Sequence, residues 1–186
     1  MKKNRKAAAL IAASVILGGV LCGCADAQKD GVKALENGDY KEAETQFLEL
    51  ARSGEDEDAA EGYRGLGMTY YETEDYQGAL DAFAQALEHG AQQSVQMYNL
   101  MGICAMQTGD YPSALEYLQS GLALTSTSEG KEETDPGLIQ EMKYNEVICY
   151  EQQADWENAK QKAAAYVEAY PDDEAMQKEA EFLETR

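Results

Sequence analysis

Few side chains in this sequence are of the types that do chemistry, and their spacing decides what that chemistry would be. His89 is the one histidine. With no second histidine and no cysteine at ligand spacing, it is not expected to hold a metal. Cys104 and Cys149 occupy matching places in two expected helices. Equivalent stacked helices run about 8–10 Å apart, too far for a disulfide without backbone movement, so both read as small buried thiols. Glu55-Asp56-Glu57-Asp58 lacks the alternating acids, the glycine and the distal glutamate of a calcium loop and reads as a solvated acidic turn. Gly62-x-x-Gly65-x-Gly67 has neither the preceding strand nor the order of a phosphate-binding loop. No nucleophile stands beside a base, and no serine, histidine and aspartate form a set. The expectation is a protein that is not an enzyme, with no cofactor and no metal.

One thiol is different. The chain opens Met1-Lys2-Lys3-Asn4-Arg5-Lys6, then runs without charge from Ala7 to Leu21. A basic start, an apolar run of that length and small residues behind it make a secretory signal peptide. The run is short for a spanning helix, which needs roughly 20 apolar residues; the alternative is an uncleaved membrane anchor. Leu21-Cys22-Gly23-Cys24 resembles a bacterial lipobox. That resemblance implies cleavage between Gly23 and Cys24 and a diacylglycerol thioether on Cys24. Two acyl chains are what stable anchoring takes. The expected division is a leader over 1–23 and one domain over 24–186, lipid-anchored on the extracytoplasmic side of a membrane in a bacterial envelope.

The elements that follow are organised around residues 60–93. There Tyr63-x2-Leu66-Gly67-x2-Tyr70 is followed by Glu74-Asp75-Tyr76, Ala79-x3-Phe83 and Ala86. The junction recurs as Gly38-Asp39-Tyr40, Gly109-Asp110-Tyr111 and Ala154-Asp155-Trp156, at spacings of 36, 35 and 45 residues. Behind each aspartate stands a small residue (Ala43, Ala79, Ala114, Ala159), then Phe47, Phe83, Leu118 or Ala163. Before each junction stands Gly31, Gly67, Gly102 or Val147. Glycine inside a helix costs about 1 kcal/mol relative to alanine, so its return at one phase points to close packing, expected here against the alanines. Val147 and Ala163 read as an exchange of size. The junction itself supplies a helix stop, a capping aspartate and an apolar plug.

On these residues the chain resembles the tetratricopeptide repeat family, whose unit is 34 residues. The implied fold is all-α: an α-α superhelix of about four helix-turn-helix repeats (about 24–54, 60–93, 95–125 and 140–171) with a C-terminal capping helix over 172–186. The polar stretch 126–137 reads as a flexible insert. By resemblance, the first helices line a groove for an extended or helical peptide. Its lining would be Gln28, Val32, Leu35 and Glu36; Arg64, Met68, Tyr71 and Glu72; Asn99, Ile103, Met106 and Gln107; Tyr144, Ile148, Glu151 and Gln152. Val32, Met68, Ile103 and Ile148 read equally well as packing between helices.

The net charge of −20 excludes a nucleic-acid binder that works by neutralising phosphates. The partner implied is a protein or peptide, and the function a membrane-anchored interaction scaffold serving envelope or secretion-related assembly. The alternatives are a self-associating repeat protein and a regulator docked on an envelope enzyme.

Overall fold

The computed structural model describes residues 24–125 and 134–186. The leader, with Leu21-Cys22-Gly23, and residues 126–133 of the polar insert lie outside them. Among the described residues there are nine helices and no strand: α1 (Cys24–Glu36), α2 (Tyr40–Ala51), α3 (Asp56–Glu72), α4 (Tyr76–Glu88), α5 (Val95–Thr108), α6 (Tyr111–Leu124), α7 (Pro136–Gln152), α8 (Trp156–Ala169) and α9 (Glu174–Leu183). Each helix packs on the next, and α1 also touches α3 as α5 touches α7. The result is a solenoid of helix pairs: neighbours share cores, and no one cluster gathers all the described helices.

The repeated junction works as one device. The residue before each aspartate is left-handed: Gly38 at φ 74°, Glu74 at 63°, Gly109 at 82° and Ala154 at 56°. Its amide donates to the carbonyl three residues back, and the aspartate amide to the one five back, as in Asp75 N to Tyr70 O at 2.9 Å. This pair of bonds satisfies carbonyls that the helix end leaves free. The same aspartate then starts the next helix. Asp39, Asp75, Asp110 and Asp155 each accept from the amide three residues on, in Glu42, Gly78, Ser113 and Asn158. One residue therefore closes one helix and opens another, which fixes the angle between them.

The glycines do pack closely, but chiefly against the larger side chain rather than the alanine. A Cβ on Gly67 would stand 2.6 Å from the Phe83 ring, one on Gly31 2.9 Å from Phe47, and one on Gly102 2.8 Å from Leu118. The alanines sit one turn away, fully buried. In the fourth repeat the volumes are reversed: Val147 and Ala163 are both fully buried in one cluster. The string Gly62-x-x-Gly65-x-Gly67 is helical and serves both neighbours. Gly62 and Gly65 admit Ala51 and Phe47 of α2, while Gly67 admits Phe83 of α4.

Two expected boundaries move. The acidic turn is not a loop, since Asp56, Glu57 and Asp58 form the first turn of α3. Negative charge there faces the positive end of the helix dipole. The fourth repeat begins at Pro136 rather than near 140, because Asp135 caps Gly137 N and proline is suited to the first helical position.

Candidate functional site

The first helices of the pairs, α1, α3, α5 and α7, lie alongside one another. Their common face carries the residues expected to line a groove. Gln28, Val32, Leu35, Met68, Tyr71, Ile103, Met106, Tyr144 and Ile148 are each half-buried. Val32 and Leu35 lean on the core that holds Ala34 and Phe47. Met68 and Tyr71 lean on the core that joins Ala79 and Phe83 of α4 to Met97, Leu100, Met101 and Cys104 of α5. Met106 leans on the Leu118 core, and Tyr144 on that of Val147 and Tyr166. Core and surface are thus not alternatives for this stripe: one edge of a side chain seals the helix contact and the other stays open.

Other expected lining residues sit differently: Glu36, Glu72, Gln107 and Gln152 are exposed, as is Arg64. Arg64 bonds back to Glu61, its Nε at 3.2 Å and its Nη2 closer still. Gln28 Nε2 donates to the same carboxylate at 3.3 Å, so Glu61 ties α1 to α3. Asn99 is only 4 % exposed, and its Oδ1 is buried with no hydrogen-bond partner. Cys24 is the first residue of α1, placed by its backbone alone. Cys104 and Cys149 are buried and unpaired, and burial pushes both thiols up to about 12, which keeps them protonated and inert.

The electrostatics change along the face. Burial, then Cys104 and Glu141 of α7, raise the Tyr71 phenol. Burial, then Asp173, Glu179 and Glu151, raise that of Tyr144. Burial and then the carboxylate of Glu179 push Glu151 up to about 7. Glu151 Oε1 is buried without a hydrogen-bond partner. Glu146, on the same helix, is buried too, yet it is paired with Lys162 Nζ at 2.8 Å. Among the described residues, the contrast is between an acid with a counter-charge and an acid without one.

Among the described residues no three metal-ligating side chains group together. Nor is any described helix long and apolar enough to cross a membrane. What the face presents is shape, apolar edges and acceptor atoms.

Comparison with known proteins agrees with the geometry. A model of the tetratricopeptide repeat matches residues 31–94 and 65–129, and a second tetratricopeptide model matches 144–173. The chain belongs to the tetratricopeptide repeat family. A search of curated proteins finds no match. Among solved structures, this tetratricopeptide chain is similar to YrrB, described as "a TPR protein with an unusual peptide-binding site". The two share 20 % identity at a TM-score of 0.69, over 84 % of this chain and 74 % of YrrB. At that identity the likeness concerns the fold.

Sequence reasoning missed one contributor. Residues 172–186 read as a cap, and α9 does bury Met176 and Leu183 against α8. It also brings Glu179 to Glu151, as a further first helix would. The signal was present in the helical spacing of Ala175, Met176, Phe182 and Leu183, but the phase of Glu179 relative to α7 is a tertiary fact. Phe182 is 44 % exposed, so the outer side of α9 is not wholly polar; the Arg186 guanidinium lies over its ring at 4.6 Å.

Proposed function

We propose that this tetratricopeptide chain is a lipid-anchored scaffold of the bacterial envelope that holds a protein or peptide partner on the face of α1, α3, α5 and α7. The single observation that carries the reading is the stripe of half-buried residues from Val32 through Met68, Tyr71, Ile103 and Met106 to Tyr144 and Ile148. Half-buried apolar edges in series offer contact area at small cost in ordering, because their inner edges are already fixed by the helix packing. Methionines at Met68 and Met106 adapt to a partner's shape. The peptide-binding description attached to YrrB supports the same use of the fold. The role is binding and positioning, not catalysis.

The anchor half of the proposal comes from the leader and Cys24. Helix α1 starts at Cys24 itself, so an acylated chain would hold its first repeat close to the membrane. Replacing Cys24 with serine is expected to move the protein from the detergent to the aqueous phase; unchanged partitioning would remove the lipid anchor.

A photoreactive residue placed at Tyr71 or Met106 in living cells tests the face. One dominant crosslinked protein is expected, absent when the probe is moved to exposed Glu116 on α6. A scatter of weak products from Tyr71 and Met106, or a stronger one from position 116, would contradict the groove. A second reading, self-association, is favoured by the exposed Phe182 at the end of the array. Light scattering separates the two, since a stable oligomer that Phe182→Ser dissolves would support it.

A further inference from the structure

We infer that the inner face runs on past α7 onto α9, where Phe182 anchors the end of an extended, polyproline-like segment of the bound partner. This rests on the groove reading above and adds the occupant's conformation and its last point of contact.

Burial places α9 in line with the first helices. In α3, α5 and α7, two residues seven apart are buried: Gly62 and Thr69, Met97 and Cys104, Met142 and Cys149. Met176 and Leu183 repeat the pair in α9, 34 residues on from Met142 and Cys149. The residue before the second of each pair belongs to the stripe, as Met68, Ile103 and Ile148 do. In α9 that residue is Phe182, the one large apolar side chain exposed among the described residues. The rings agree. Tyr76, the plug of the second junction, meets Tyr71 of the stripe edge-on at 6.3 Å. Trp156 is the plug of the fourth junction, and the Arg186 guanidinium lies over it at 5.4 Å and over Phe182 at 4.6 Å. Phe182 thus stands on the side where the plugs border the stripe.

A second copy of the chain is the poorer occupant of this end. Gly31, Gly67, Gly102 and Val147 face the second helix of their own repeats. The matching residue of α9 is the exposed Glu181, and a helix laid there would bury its carboxylate. Spacing then chooses the conformation of a peptide. Packed helices stand about 8–10 Å apart. A polyproline helix advances about 9.3 Å in each turn of three residues, so it offers one side chain to each first helix in succession. Side chains on one face of a strand return every ~6.7 Å and those of an α-helix every ~5.4 Å, both out of step with the stripe. The net charge of −20 favours a segment whose remaining positions are basic and repels an acidic one.

The probes are fluorescein-labelled peptides of repeated leucine, lysine and proline, one ending on its fifth leucine and one on its fourth. A third peptide has the composition of the first with its leucines contiguous. All are titrated against the purified full chain by fluorescence anisotropy. The five-leucine peptide is expected to bind about tenfold tighter than the four-leucine one and at least about tenfold tighter than the contiguous one. Phe182→Ser is expected to remove the advantage of the fifth leucine while changing the four-leucine peptide by about twofold at most. Phe182→Leu keeps an apolar anchor and should keep the advantage. An advantage that survives Phe182→Ser would overturn the inference, as would equal binding of the contiguous peptide. A photoreactive residue at Met106 separates this from the groove itself. If it labels the peptides while Phe182→Ser costs nothing, the groove stands and ends at α7. If it labels none of them, the groove falls and this inference with it. An oligomer that Phe182→Ser dissolves without weakening the peptides would make Phe182 a contact between copies instead.

Discussion

The second and fourth repeats build one shape from opposite parts. In the second, a glycine on α3 leaves room and the Phe83 ring of α4 fills it. In the fourth, Val147 of α7 brings the bulk and Ala163 of α8 leaves the room. Summed volume is kept while its owner changes, as close-packed interiors require. The inner faces above these contacts then diverge. Repeat two shows Met68 and Tyr71, whereas repeat four shows Ile148 and Glu151, whose carboxyl burial and Glu179 of α9 push up. Packing between helices is therefore free to stay constant while the binding face varies, which is what lets one fold serve different partners.

The comparison can be broken most sharply at its centre. Phe83→Ala is expected to cost about 3–5 kcal/mol in urea unfolding, and Gly67→Val alone about 1–3 kcal/mol from overpacking. Together they copy the Val147/Ala163 arrangement, so the double variant should be more stable than Phe83→Ala. A coupling of at least about 1 kcal/mol is expected from the cycle; simple additivity would mean that the two repeats do not solve the same packing problem.

Next come the junctions, where the repeats differ by backbone strain. Repeats two and four place Glu74 and Ala154 in the left-handed region that repeats one and three give to Gly38 and Gly109. Ala154→Gly should raise stability by up to about 1 kcal/mol, and Gly109→Ala should lower it by about 1–2 kcal/mol. Thermal melts read both. Losing the cap in Asp75→Ala or Asp110→Ala is expected to cost about 1 kcal/mol each, alike in the two repeats because the bond is alike.

The remaining effect is electrostatic and follows pH. Glu151 moves from an ordinary 4.5 to about 7 on folding. The folded chain thus holds this proton more tightly than the unfolded one. Its contribution to stability is full below the unfolded value, falls as pH rises, and is gone above about 7. Glu151→Gln should remove that decline, so the variant gains on the parent between acid and pH 8 in urea midpoints. A constant difference across that range would place the two carboxyls apart.

Much of this was legible in the chain because it is local. The junction needs a left-handed residue, a capping aspartate and an apolar plug in sequence, and Gly38-Asp39-Tyr40 spells them in order. The glycine phase was legible as a packing need, but its partner was not: the spacing of Gly67 to Ala79 and to Phe83 differs by one helical turn, and only the crossing of the helices chooses between them. The start of α3 was obscured because Asp56, Glu57 and Asp58 read equally as a solvated turn and as a first helical turn. The Glu151–Glu179 pair and the Glu146–Lys162 pair join separate helices, so no periodicity announces them. Asn99 was read as groove lining, yet it is buried, and burial depends on neighbours that lie on other helices.

Occupancy of the inner face is most directly read by peroxide footprinting of methionines, comparing purified chain with membranes from cells that express it. Met142 and Met176 are fully buried and serve as internal blanks, while Met68 and Met106 are open at one edge. Met68 and Met106 are expected to oxidise in the purified chain and to be protected in the membranes. Equal oxidation of Met68 and Met106 in both samples, with the blanks silent throughout, would show that nothing sits on this face and would contradict the scaffold.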